Sequence, residues 1–169
     1  MGANLVPAML SGRVDATLGA YWNYEAIQLR QLGKRLNVIR MNAVGVPTYD
    51  ELVVVARENE LSGGQIALVR RFVQALARGY ESVRSDPSTA VGNLVRANPS
   101  LSPALELASV RATLPSFFPA GANASQPWGW QDQSAWNAYG HWMIANHLIS
   151  NPAAVDGAST NEVLAGQGS

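Results

Sequence analysis

Tyr21-Trp22-Asn23-Tyr24-Glu25 places three flat rings, an amide and a carboxylate within five consecutive positions. A planar heteroaromatic ligand needs such a set, with faces to stack on and acceptors for its exocyclic N–H groups. Ring stacking adds about 0.5–1.5 kcal/mol beyond the burial of area. Hydrogen bonds to a charged acceptor, here the Glu25 carboxylate, are the stronger kind. Three rings in four positions cannot all face one core, because neighbours on a strand or at a helix start point in different directions. At least one ring therefore lines a surface or cleft. Asn23 and Glu25 also have structural work available, as N-cap and first-turn carboxylate of a following helix.

The elements around this segment should position it. Asn4 to Leu10 reads as a short helix with Leu5, Met9 and Leu10 on its apolar side, ended by Ser11-Gly12. Val14 to Leu18 reads as a strand, and Glu25 to Leu32 resumes helical spacing through Ile27, Leu29 and Leu32. The aromatic segment would then lie at the carboxyl end of a strand and over the first turn of a helix, where open α/β sheets bind ligands.

Further along, Asn37 to Ala43 and Leu52 to Ala56 read as strands, the second a β-branched run suited to a strand covered on both faces. Gly45-Val-Pro47 is a turn between them. Ser62-Gly-Gly-Gln65 fits a capping box, and helical spacing from Ile66 to Val83 predicts a long helix to Arg84, with Arg70, Arg71, Arg78 and Arg84 on its solvated side. Asp86-Pro87 and Ser102-Pro103 each set an N-cap before a first-turn proline, predicting helices over 88–97 and 104–114. Phe117 to Trp130 is the longest irregular stretch and carries Trp128 and Trp130, which either plug the fold or stack on a partner. Asp132 caps a last helix whose Trp136, Tyr139, Gly140, Met143, Ile144 and His147 form an apolar stripe. Residues 157–169 read as a docked or fraying tail.

Composition removes several function classes. With 169 residues and 47% apolar content, the chain can bury a core as one unit. A formal net charge of zero gives no electrostatic case for nucleic acid or an anionic membrane surface. The absence of cysteine excludes disulfides, thiolate nucleophiles and cysteine zinc sites. His141 and His147 stand six apart, on opposite sides of a helix rather than at the i, i+4 spacing of a metal pair. No phosphate-binding loop, nucleophile elbow or dinucleotide glycine pattern is present. Asn123-Ala-Ser125 fits a glycosylation sequon that matters only in a eukaryotic secretory setting. No apolar run is long enough to cross a membrane.

The ordered motifs carry a family resemblance. Leu10-Ser-Gly-Arg-Val-Asp-Ala16, Gly19-Ala-Tyr-Trp-Asn-Tyr-Glu25, Gly45-Val-Pro-Thr-Tyr49, Leu52-Val-Val-Val-Ala56 and Arg71-Phe-Val-Gln-Ala-Leu-Ala-Arg-Gly79 resemble the substrate-binding proteins of ABC importers for thiamine pyrimidine precursors. Pro127-Trp-Gly-Trp-Gln-Asp132, Trp136, Trp142-Met143, His147-Leu-Ile149 and Thr160-Asn-Glu-Val-Leu164 resemble that family's C-terminal pattern. The resemblance implies a type II periplasmic-binding-protein fold, a three-layer α/β/α lobe with a helix-rich C-terminal half. Such proteins close two lobes on their ligand, and this chain matches from the later part of the second lobe onward. One unit, 1–169, is therefore expected to comprise the end of the second lobe (1–36), crossing strands (37–58) and a helical return to the first lobe (59–169). The family also implies an extracytoplasmic protein whose export signal would lie in the absent half.

The resulting expectation is a solute-binding component that holds an aminopyrimidine on Tyr21, Trp22, Asn23 and Glu25 and presents it to an ABC permease, with no catalytic residue, metal or cofactor. Its other partners would be the missing N-terminal half or a second copy of the chain. Riboflavin is a competing ligand, since its ring stacks equally well. Anionic solutes are disfavoured because no Lys or Arg lies between Arg13 and Arg30. A pyrimidine-precursor synthase using histidine, pyridoxal phosphate and iron, or a ligand-sensing effector domain, are the readings from other classes.

Overall fold

Helix signals in the sequence become helices. The computed structural model describes residues 5–119 and 126–167. Among these the helices are α1 (Leu5–Leu10), α2 (Glu25–Gln31), α3 (Gln65–Ser85), α4 (Pro87–Ala97), α5 (Pro103–Phe117) and α6 (Gln133–Ala145). Short 3-10 turns lie at Met41–Val44, Glu58–Leu61 and Pro152–Ala154.

The expected caps are in place at three starts. The Asp86 carboxylate accepts from the Thr89 N–H at 3.0 Å, the Ser102 hydroxyl from the Leu105 N–H at 3.4 Å, and the Asp132 carboxylate from the Ser134 N–H at 2.8 Å. Pro87 and Pro103 occupy first-turn positions, where a missing N–H costs nothing. At α3 the expected box does not form: the Ser62 hydroxyl donates back to the Asn59 carbonyl at 3.3 Å. Helix α5 outruns its predicted end at Leu114 by continuing through Pro115.

Contacts divide the chain into two units, Met1–Val38 with Ser82–Pro119 and Ile39–Glu81 with Ala120–Ser169. In the first, α2 packs on α1 and on α5, and α5 packs on α4. The buried apolar residues are Val6 from α1, Ala26 and Leu29 from α2, Val91 from α4 and Leu105 from α5. Arg84, expected on a solvated face, lies over the Phe118 ring at 4.6 Å, a cation–π contact.

The second unit is centred on Val73 of α3 and on Val163 and Leu164 near the end of the chain, with Leu61, Ile66, Val69 and Trp130 packed around them. The terminal segment therefore docks rather than frays. Trp128 lies tilted at 30° against Tyr80 with centroids 4.5 Å apart, so both loop tryptophans pack within the unit. Asn161 holds the entry to α6: its Oδ1 accepts from the Gln131 N–H at 2.8 Å, and its Nδ2 donates to the Gln131 carbonyl at 2.9 Å. Gly140 is required by packing, since an added Cβ would come within 2.5 Å of a Val155 methyl.

The three expected strands do not form among the described residues, and the three-layer α/β arrangement finds no support in this structure. A strand needs a neighbour to accept and donate its ladder bonds. Val14 to Leu18 runs instead between Gly12 and Gly19, both in the left-handed region at φ 67° and 86°, and Leu18 is 83% exposed. The 37–43 segment passes into the Met41–Val44 turn. The 52–56 run starts at Leu52 with φ 65°, an outlier for a bulky residue, and Val55 is 84% exposed. Its β-branched composition is that of a covered strand, but no described segment covers it.

Candidate ligand site

Within the first unit, the aromatic segment folds as a turn that leads into α2. The N–H groups of Tyr24 and Ala26 both donate to the Tyr21 carbonyl, at 3.3 and 3.2 Å. Glu25 stands in the first turn of α2 as expected, and its Oε2 accepts from the Tyr21 N–H at 2.8 Å. The carboxylate thus closes the turn that carries the rings. Asn23 does not act as the N-cap: the flanking residue is Tyr24, with no side-chain capping bond.

Two of the five residues turn inward to α5. The Asn23 Nδ2 donates to the Thr113 hydroxyl at 2.7 Å, and the Tyr24 hydroxyl donates to Glu106 Oε1 at 2.8 Å. Glu106 and Thr113 are seven residues apart, two helical turns, and so share one face of α5. The Thr113 hydroxyl in turn donates to the Ser109 carbonyl at 2.8 Å. Glu106 is the one buried charged residue among those described, and its bond pushes the Tyr24 hydroxyl above its ordinary pKa, with burial and the Glu106 and Glu25 charges adding to the rise. A phenol held neutral beside a buried carboxylate keeps its proton as the donor in that bond.

The rings that remain are Tyr21, which is 47% exposed, and Trp22, which is half-buried. All four candidate residues are thus in one turn, but in two roles. Tyr21, Trp22 and Glu25 frame the turn, whereas the Nδ2 of Asn23 is held by α5. Glu106 and Thr113 are positioning residues that sequence reasoning missed. A signal existed for the first, a lone carboxylate between Leu105 and Leu107 on an otherwise apolar stretch. In the preceding loop Asp15 is exposed, and the Arg13 Nε donates to the Ser11 hydroxyl at 3.0 Å.

Among the described residues no group of three or more His, Cys, Asp or Glu is placed to hold a metal ion. No described helix is long and apolar enough to cross a membrane.

Comparison with known proteins places this arrangement in a class. Residues 1–90 match the family model described as NMT1/THI5 like, whose fold is of the periplasmic-binding type. The chain belongs to the NMT1/THI5-like family. It is 30% identical over 164 residues to the formylaminopyrimidine-binding protein of Halalkalibacterium halodurans, an alignment covering 94% of this chain and 48% of that protein. It is 31% identical over 113 residues to a putative thiamine biosynthesis protein of Haemophilus influenzae, covering 66% of this chain and 35% of the relative. It is 27% identical over 175 residues to the riboflavin-binding protein RibY of Chloroflexus aurantiacus, covering 98% of this chain and 47% of the relative. The chain spans about half the length, or less, of the curated relatives it matches. No solved structure matches it.

Proposed function

We propose that this chain is the ring-holding portion of an extracytoplasmic solute-binding protein that captures an aminopyrimidine thiamine precursor and presents it to an ABC permease. The observation that carries the reading is the match along 94% of the chain to a formylaminopyrimidine-binding protein. The aromatic turn supports it with an exposed Tyr21 ring, the adjacent Trp22 and the Glu25 carboxylate. In this reading Tyr21 and Trp22 stack on the pyrimidine and Glu25 accepts from its amino group, while Asn23, its Nδ2 held by Thr113, offers its Oδ1 as a further acceptor. Discrimination follows because a ring without the amino group leaves a desolvated acceptor unpaired. No catalytic step is needed.

The assignment of residues 1–36 to a second lobe, 37–58 to a crossing segment and 59–169 to the return belongs to the same proposal. The exposed Val53-Val54-Val55 run supports it, since its apolar side chains suit a neighbour supplied by the longer protein or by a second copy of the chain. A riboflavin ligand is the second reading, supported by the 27% identity to a riboflavin-binding protein.

Calorimetric titration of this chain, and of the chain extended to its relatives' full length, with hydroxymethylpyrimidine, formylaminopyrimidine and riboflavin tests the proposal. Tight pyrimidine binding by the extended protein supports it, whereas heat with riboflavin alone transfers the assignment to the second reading. In the extended protein Glu25→Gln should weaken pyrimidine binding more than Asp15→Asn. Equal losses would remove Glu25 from the site.

A further inference from the structure

A second group of rings lies in the other unit of the fold. Tyr49 and Asp50, following the Gly45-Val46-Pro47 turn, line a pocket of about 100 Å³ together with Ala135, Trp136 and Tyr139 of α6. Tyr49 and Tyr139 stack with centroids 4.6 Å apart and planes at 19°, and Trp142 extends the stack at 5.8 Å from Tyr139.

The polar groups around this pocket are arranged unequally. The Trp136 Nε1–H is satisfied by Gln131 Oε1 at 2.7 Å, and Gln131 is itself locked by Asn161 and by donation from its Nε2 to the Gly129 carbonyl at 3.1 Å. The indole is therefore oriented by a polar network on one side and lines the pocket as an apolar wall. Asp50, by contrast, has no hydrogen-bond or ion-pair partner among the described residues and stands exposed at the mouth. Burial of the Tyr49 ring, with the Glu51 charge and Tyr139 adding, holds its hydroxyl above the ordinary pKa, so it remains a donor through the neutral range.

We propose that this pocket is a second binding site, for a single flat nitrogen heterocycle bearing an exocyclic amino group. Size sets the ring count: at about 100 Å³ the open pocket is smaller than the dry cavity of about 150 Å³ that admits benzene, so at most one ring seats in it and only in part, and flavin-sized ligands, which need about 300 Å³ or more, are excluded. Three aromatic walls offer a planar ring faces and edges to stack on. The carboxylate at the mouth selects N–H donors or positive charge and rejects anions. The site is complete within one unit and does not depend on Tyr21, Trp22 or Glu25.

The indole N–H signals of the five tryptophans in a ¹H–¹⁵N NMR spectrum of the full chain report on the two sites separately, Trp22 on the aromatic turn and Trp136 on the pocket. Titration with aminopyrimidine should move the Trp136 signal saturably, unsubstituted pyrimidine should bind more weakly, and riboflavin should leave the signal in place. Asp50→Asn, at an exposed position that leaves the rest of the spectrum unchanged, should weaken the aminopyrimidine titration about fivefold, the scale of a solvent-exposed charged contact. A Trp136 signal that stays fixed at saturating aminopyrimidine, or an affinity unaltered by Asp50→Asn, overturns the proposal. Movement of Trp22 alone would also overturn it while supporting the aromatic turn as the ligand site.

Discussion

The two ring-bearing regions hold their aromatics by different physics. In the first unit Tyr24 is fixed through a single hydroxyl to a buried carboxylate, and Asn23 beside it through an amide to Thr113. In the second, Tyr49, Tyr139 and Trp142 are held face to face, and Trp136 is set by the network through Gln131. A polar hold is narrow, because moving one atom leaves a buried group unpaired. A stacked hold tolerates polar change and responds to volume. The first region should accordingly fail on substitutions that keep shape, and the second on substitutions that alter it.

Volume changes in the second unit carry the largest expected effect. Leu164→Ala should lower the free energy of unfolding by about 2–5 kcal/mol, toward the lower end because the core around it is thin. Denaturant titration at unchanged m-value reads this directly. Gly140→Ala comes next. Helix propensity alone would favour alanine by about 1 kcal/mol, but the Val155 methyl that a Cβ would meet is buried and has little room to yield. Overpacking of about 1–3 kcal/mol should win, and a more stable Gly140→Ala protein would show that α6 and the Pro152–Ala154 turn are free to part.

The test of the polar hold is a pair of shape-preserving changes. Tyr24→Phe should cost about 1–3 kcal/mol by leaving the buried Glu106 without its donor. Combining it with Glu106→Leu should cost less than the sum of the two single changes, since removing both partners of a buried bond is close to neutral. Additive losses would mean that Glu106 is satisfied elsewhere. Thr113→Val is smaller, about 1 kcal/mol, as it removes neutral bonds only, the one from Asn23 and the local one to the Ser109 carbonyl.

Local signals made the helices legible. Asp86-Pro87, Ser102-Pro103 and Asp132 each announced a helix start that the structure realises within one residue, because a cap is decided by neighbours in sequence. The strands were not decided that way. Val53 to Val55 have strand composition, yet a ladder needs a second segment, and Leu52 in the left-handed region breaks the run at its first residue. The aromatic turn was found by residue type, and Glu25 stands where its spacing placed it. No local feature reveals that Thr113, ninety positions away, accepts from the Asn23 Nδ2. The Tyr49–Tyr139 stack was invisible for the same reason.

Acid sensitivity separates the caps from both ring holds and is the smallest effect. Hydrogen bonds from Thr89 hold the Asp86 carboxyl below its ordinary value near 3.8, and bonds from Ser134 do the same for Asp132. A depressed folded pKa means that the stabilisation is complete above the ordinary value and is lost as pH falls through the depressed one. Amide exchange at Thr89 and Ser134 should therefore lose protection, relative to the intrinsic rate, only as pH falls below the ordinary value near 3.8, while the centres of α4 and α6 hold longer. Asn is as good an N-cap as Asp and carries no proton to gain. Asp86→Asn and Asp132→Asn should keep the helix starts and flatten this pH profile. The Tyr24–Glu106 bond runs the other way: its raised phenol contributes fully below pH 10.0 and is lost as pH climbs through the higher folded value. Loss of protection on the Glu106 face of α5 on the alkaline limb alone, with the caps intact, would confirm that the first unit holds its aromatic turn through a proton.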